Sequence, residues 1–180
     1  MKDWPRVTRV LEAVGLGPDL SMVPADVLTA AQKRGTAVHE AIEALAYGYF
    51  EDCDAAITPY LDAYKKFMAE SGHTAIASEI EVAHPEWKYI GHPDRVGWML
   101  KHRIVIDFKT GETDGVAYQL AAYAEAWNAQ HPTEKVSSAA VVELRDTGAY
   151  RFTEIDLPAA RPVWFAALTV YRAQPGRNGA

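Results

Sequence analysis

Apolar positions recur at helical spacing through the first third of the chain. Val7, Val10, Leu11 and Val14 mark one helical segment, closed by Gly15 and Gly17. After a stretch rich in Pro, Gly and Asp, the pattern predicts a longer helix over 25–49, with Val38, Ala41, Ile42, Leu45 and Tyr49 on its apolar face. A third helix over 54–70 carries Tyr60, Leu61, Tyr64, Phe67 and Met68. From residue 74 the period shortens to two. Ile76, Ser78, Ile80 and Val82 alternate with residues that include Glu79 and Glu81, which predicts a half-buried strand over 74–83. A second strand is expected over 89–100, a turn at Lys101-His102, and a third strand over 103–109. A helix over 116–130 faces Leu120, Ala124 and Trp127 inward and stops at His131-Pro132. Strands over 137–144 and 149–155 then pair across Asp146-Thr147-Gly148, and Asp156 is placed to cap a last helix ending near Tyr171.

Helices, three strands, a helix, two more strands and a helix describe an α/β fold, a mixed central sheet flanked by helices, with a helical segment at its N-terminus. The expected organisation is one domain over 1–180. Residues 1–72 form its mainly helical part, 73–173 the sheet core, and the polar, Gly/Pro-rich 174–180 a disordered tail. At 180 residues and 49% hydrophobic content the chain can bury a core without covalent help. Cys53 is the single cysteine, so no intramolecular disulfide can form. The first residues lack the apolar run of a secretory signal, and no window approaches the roughly 18 apolar residues of a membrane span. A soluble, cytoplasmic protein with no membrane partner is expected. The formal net charge of −6 argues against phosphate-backbone binding, which is usually carried by clustered Lys and Arg. A cation held among carboxylates would cancel part of that charge locally. Lys33-Arg34, Lys65-Lys66 and Lys101-His102-Arg103 form small basic groups.

Candidate chemistry sits on the third strand. Alternation puts Arg103, Val105, Asp107 and Lys109 on one face and Ile104, Ile106 and Phe108 on the other. The apolar face belongs to the core, which leaves a carboxylate and an ammonium side by side at the strand's end. A lone Asp-x-Lys is more often a cross-face ion pair than a site. The second strand adds Asp94 directly after Pro93, and proline disrupts a ladder and marks an irregularity where a side chain can be aimed. Pairing of these strands around Lys101-His102 brings Asp94 opposite Asp107. Two carboxylates that close repel unless a cation lies between them, and oxygen donors select Mg²⁺ or Mn²⁺.

Pro93-Asp94, twelve intervening residues, and Asp107-Phe108-Lys109 form a literal PD…DxK pattern. With Gly35-Thr36-Ala37-Val38-His39 before it, Gly91-His92-Pro93-Asp94-Arg95 within it, Asp107-Phe108-Lys109-Thr110-Gly111 closing it, and Gln119-Leu120-Ala121-Ala122-Tyr123 after it, the chain resembles the PD-(D/E)XK nuclease superfamily. Within that superfamily it is most similar to the RecB/Cas4-like branch that includes phage exonucleases. The resemblance implies a restriction-endonuclease-like fold. It implies His39, Asp94, Asp107 and the Phe108 carbonyl as metal ligands, and Asp94, Asp107 and Lys109 as the catalytic set. Gln119, Tyr123 and Thr110 would line the site or touch DNA. Glu79 matches an acidic position that some relatives have on the first core strand, and either it or Glu81 fills that position. Glu43, one turn beyond His39, is either an orienting partner of the imidazole or solvated. His73, His84, His92, His102 and His131 show no ligand spacing and are read as surface or loop residues. Trp4, Trp87, Trp98, Trp127 and Trp164 are read as packing.

The implied activity is metal-dependent hydrolysis of DNA phosphodiesters with one or two Mg²⁺ ions, for which Mn²⁺ can substitute. An exonuclease processing DNA ends in recombination or repair is the leading expectation, alongside a recombination or single-strand-annealing protein. The alternatives are a structure-specific endonuclease of the same fold, or an inactive module that binds DNA or a partner. Oligomeric state is not legible in the sequence.

Overall fold

The computed structural model describes residues 4–49 and 53–175. Among them the chain forms α1 (Val7–Ala13), α2 (Ala25–Ala46), α3 (Thr58–Ser71), β1 (Thr74–Ser78), β2 (Val82–His84), β3 (Tyr89–Gly91), β4 (Arg95–Met99), β5 (His102–Lys109), α4 (Val116–Gln130), β6 (Ser138–Leu144), β7 (Tyr150–Glu154) and α5 (Leu157–Ala173). The main sheet has the order β1-β4-β5-β6-β7, and β2 with β3 makes a separate two-stranded ribbon. Neighbours in the main sheet are antiparallel except β5 and β6, which run parallel. A parallel step needs a crossover, and α4 supplies it.

Both faces of the sheet are covered. Ile104, Ile106 and Phe108 on β5 pack with Val38 and Ile42 of α2 and with Tyr60, Leu61, Tyr64 and Phe67 of α3. Val105 on the opposite face joins Leu120, Tyr123 and Trp127 of α4 and Trp164 and Leu168 of α5. Phe108 is fully buried, with edge-on contacts to Tyr64 at 5.3 Å and Phe67 at 5.9 Å between ring centroids. Period-two alternation on β5 therefore sends its large apolar side chains to α2 and α3, and Asp107 toward α4.

Most expected elements form near their predicted limits, and Asp156 caps α5 by accepting from the Ala159 N–H at 3.0 Å. The differences lie in the first two expected strands, which do not run through: 74–83 divides into β1 and β2, and 89–100 divides into β3 and β4. Each break lies beside an acidic residue, Glu79 in the first and Asp94 in the second. Ile76, on the expected apolar face, is exposed, and it sits at a register shift between Ala75 and Ala77 in β1, an edge strand. α2 ends three residues before the expected Tyr49, and α3 begins at Thr58 rather than at residue 54. Of the expected tail, residues 176–180 lie outside the described residues, while the Gln174 amide donates to the Ala13 carbonyl at 3.2 Å. No described helix is long and apolar enough to cross a membrane.

Candidate active site

The two strand breaks build the site. Glu79 has a φ of 49°, a left-handed conformation that costs a non-glycine residue energy and persists only where its surroundings impose it. Its N–H donates to the Asp94 carbonyl at 3.2 Å, so the two irregularities are tied to each other. Asp94 follows Pro93, which cannot donate to a ladder, and precedes Arg95, which pairs with Ile106 on β5. Continuing that antiparallel register by one residue sets Asp94 beside Asp107. The Phe108 N–H then donates to Asp94 Oδ2 at 2.6 Å.

His39 reaches this point from α2. Its Nδ1 lies 3.6 Å from Asp94 Oδ1 and 3.7 Å from Glu79 Oε1. One donor atom from each of His39, Glu79 and Asp94 lies within 4.8 Å of the others. Burial opposes charge on His39, but the hydrogen bond to Glu79 and the fields of Asp94 and Asp107 outweigh it, and its pKa is raised to about 9. Burial also pushes the Asp94 carboxyl up, and Asp107 adds to the shift, to about 7 in spite of His39 and Lys109. Two carboxylates and an imidazole form a hard donor set that a divalent cation fits, and that cation would compete with protons for the same atoms.

On the other side of Asp94 lies a second cluster. Lys109 Nζ is 2.7 Å from Asp107 Oδ2, and Gln119 Nε2 donates to Asp107 Oδ1 at 2.9 Å. Burial disfavours the Lys109 ammonium, yet Asp107 and Asp94 together raise its pKa, so it stays charged. Gln119 Nε2 also lies 3.0 Å from the Tyr123 hydroxyl, as expected for residues one helical turn apart. Burial pushes the Tyr123 phenol up, reinforced by Asp107 and Asp94, so it remains protonated. The Tyr123 ring lies directly over Gly91, where any Cβ would overlap it. On the other flank, a Cβ at Gly35 of α2 would sit 3.7 Å from Thr110 Oγ1, an ordinary contact. The four sequence segments thus meet pairwise: 35 with 110, 39 with 94, 91 with 123, and 107 with 119.

All the expected site residues gather in this region, with two differences in detail. The donor group of three is His39, Glu79 and Asp94, while Asp107 beside it is engaged by Lys109 and Gln119. Phe108 contributes its N–H to Asp94, a contact the expectation of its carbonyl did not include. Glu81 pairs instead with His92, 3.6 Å from its Nε2. Glu43 joins Thr36, His39, Glu40 and Glu79 in lining a cleft of about 310 Å³. Thr36 and Glu40 were not singled out from the sequence, although their places three residues before and one after His39 carried the signal. His73 and His84 are buried rather than surface residues, His73 beneath Gly97 and His84 against Tyr89. Trp127 and Trp164 pack in the core, whereas Trp87 and Trp98 are partly exposed.

Solved structures give distant likenesses. The alkaline exonuclease LHK-Exo from Laribacter hongkongensis is 16% identical, with 95% of this chain and 87% of that chain covered and a TM-score of 0.45. The same exonuclease in complex with dAMP aligns over the same shares at a TM-score of 0.42. SSO0001 is 15% identical over 64% of this chain and 59% of its own, at a TM-score of 0.34. Comparison with curated protein sequences yields no significant match. A sequence profile of the PD-(D/E)XK nuclease superfamily matches residues 51–169, a span that holds Glu79, Asp94, Asp107 and Lys109 and begins after His39. With more than half of its length matched, and with a mixed sheet that carries the expected motif on β5, the chain belongs to the PD-(D/E)XK nuclease superfamily.

Proposed function

We propose that this protein is a metal-dependent deoxyribonuclease of the RecB/Cas4-like branch, acting on DNA ends in recombination or repair, with Mg²⁺ as its ion. The observation that carries the reading is the meeting of His39, Glu79 and Asp94 beside the Asp107–Lys109 pair. His39, Glu79 and Asp94 would hold the ion, with Asp107 next to them. When bound, the ion supplies Lewis-acid polarisation of the phosphoryl oxygen and a lowered pKa for water.

The chain's own groups do the rest. Gln119 fixes one Asp107 oxygen, leaving the other to Lys109. The Lys109 ammonium keeps its proton and directs N–H donors at the attacking water or at a non-bridging phosphate oxygen as charge builds there. The Phe108 N–H orients Asp94 so that its second oxygen faces His39. His39, charged while it faces two carboxylates, must release a proton before Nδ1 can act as a ligand. The four motifs over residues 35–123 support the branch, the preference for ends and an annealing partner; whole-chain action over 1–180 as one domain belongs to the same reading.

The test is digestion of end-labelled linear duplex beside a closed circle, with and without Mg²⁺. The expected result is loss of the linear label only, needing the ion. Asp107→Ala and Lys109→Ala should each slow it by on the order of 10²–10⁴. Wild-type rates in both variants would end the assignment. Cutting of the circle would turn the reading to an endonuclease. Calorimetric titration with Mn²⁺ should show binding by wild type that Asp94→Ala loses; binding of DNA with neither metal uptake nor cleavage would leave an inactive module.

A further inference from the structure

α2 is 22 residues long, yet its buried residues are only Val38 and Ile42, both in its second half. No residue from Ala25 to Ala37 is buried. Leu28, Ala31, Arg34 and Gly35 are half-buried along one side, so the first three turns lie at the margin of the core with their other side open to solvent. Along the exposed side, Thr29, Lys33, Thr36, Glu40 and Glu43 follow one another at spacings of four, three, four and three, which aligns them in one stripe. The cleft beside His39 opens on this stripe at Thr36, Glu40 and Glu43.

Charge divides the stripe at the cleft. Toward the C-terminus of α2 lie Glu40 and Glu43, with Glu79 facing them across the cleft. Toward the N-terminus lie Thr36, Gln32 and Lys33, all exposed and without a carboxylate until Asp26 in the first turn. Asp26 there complements the positive end of the helix dipole. Arg34 points to the other side, its guanidinium 5.7 Å from the Tyr60 ring centroid, where it ties α2 to α3. Lys33 lies about 9 Å along the axis from His39, at 1.5 Å per residue, near enough for a strand whose scissile phosphate is at His39 to meet Lys33 at the next phosphates. A polyanion that followed the acidic half would instead run past three carboxylates.

We propose that Thr36 and Lys33 of the N-terminal half of the α2 stripe, with Gln32 beside them, seat the sugar–phosphate backbone of the DNA strand entering the cleft. This deepens the nuclease reading and rests on it. Lys33 supplies the charge, while the Gln32 amide and the Thr36 hydroxyl supply hydrogen-bond donors to phosphate or sugar oxygens. The strand then approaches the reacting phosphate from the N-terminal end of α2, and Glu40 and Glu43 exclude it from the other end.

The test is equilibrium binding of a short fluorescein-labelled linear duplex in Ca²⁺, over a series of salt concentrations. Lys33→Glu should weaken binding about tenfold or more and lower the salt slope by about one or more. Gln32→Glu should weaken it several-fold. Lys135→Glu, the same charge change beyond the far end of α4, should stay within about twofold by the same rule. Mn²⁺ uptake should be unaltered in all three, which separates seating of the strand from assembly of the metal group. Lys33→Glu and Gln32→Glu binding as tightly as Lys135→Glu would overturn the proposal, as would tightening by Glu40→Gln without loss at Lys33. If wild type cleaves DNA while the α2 variants bind normally, only the track falls. If wild type neither binds nor cleaves, the nuclease reading falls with it.

Discussion

At the scale of single residues, the site depends on contacts that leave no room for a methyl group. Gly91 is buried in β3, and the Tyr123 ring occupies the space its Cβ would take. That ring carries the hydroxyl bonded to Gln119, which in turn holds Asp107. Gly91→Ala should therefore act at a distance, displacing the ring and loosening Asp107. An overpacked site of this kind costs about 1–3 kcal/mol in denaturant unfolding, and cleavage should fall with it. Pairing the change with Tyr123→Leu should recover part of the stability but not the activity, because the hydroxyl is gone. Purely additive losses in the double variant would show that the two residues do not press on each other. Glu79 is the converse case: its strained φ is imposed so that its carboxylate reaches His39.

At the scale of elements, β5 is the part on which the site and the core both stand. Its register with β4 places Asp94 beside Asp107, and its parallel pairing with β6 fixes the strand from the other side. Phe108 anchors it between α3 and the sheet, one residue from each of Asp107 and Lys109. Phe108→Ala should cost about 3–5 kcal/mol, the range for removing a fully buried aromatic ring. Thermal or urea unfolding measures that loss. A cost under about 1 kcal/mol would mean that β5 is not held through this ring. The same alternation that made this strand legible in the sequence, apolar at 104, 106 and 108 against charged at 107 and 109, holds in the structure. The neighbouring strands read less well, because Glu79 and Asp94 interrupt them for the sake of the site, and local periodicity carries no information about such a break.

At the scale of the whole molecule, buried ionisable groups couple stability to pH. His73 is buried, and its two ring nitrogens have no hydrogen-bond partner among the described residues. Burial, with Arg95 nearby, lowers its pKa to about 4. The unfolded chain takes up this proton near 6.5 and the folded chain only near 4, so stability is unaffected above pH 6.5 and falls as pH drops through that window. The loss is on the order of 3 kcal/mol by the lower end. Asp94 acts oppositely. With a folded pKa raised to about 7, it relieves the folded state as pH falls from 7 toward its unfolded value. His39, raised to about 9, contributes stability below 6.5 that is lost as pH rises to 9. The His73 part is isolated by difference: with chelator present, His73→Leu should lose less stability than wild type between pH 6.5 and 4. Parallel profiles for the two proteins would mean that His73 titrates normally.

The sequence by itself determined the order of the helices, the in–out alternation of β5 and the cap at Asp156, because these follow from local periodicity and from chemistry carried by single side chains. Glu79 as the third member of the donor group, the engagement of Asp107 by Lys109 and Gln119, and the burial of His73 were decided by tertiary structure alone. Each depends on which segment passes within a few ångströms of another, set by strand register and by the packing of α2 and α4 against the sheet. A choice such as Glu79 over Glu81 turns on one left-handed residue, whose cost is met only when the distant Asp94 and His39 are already in place.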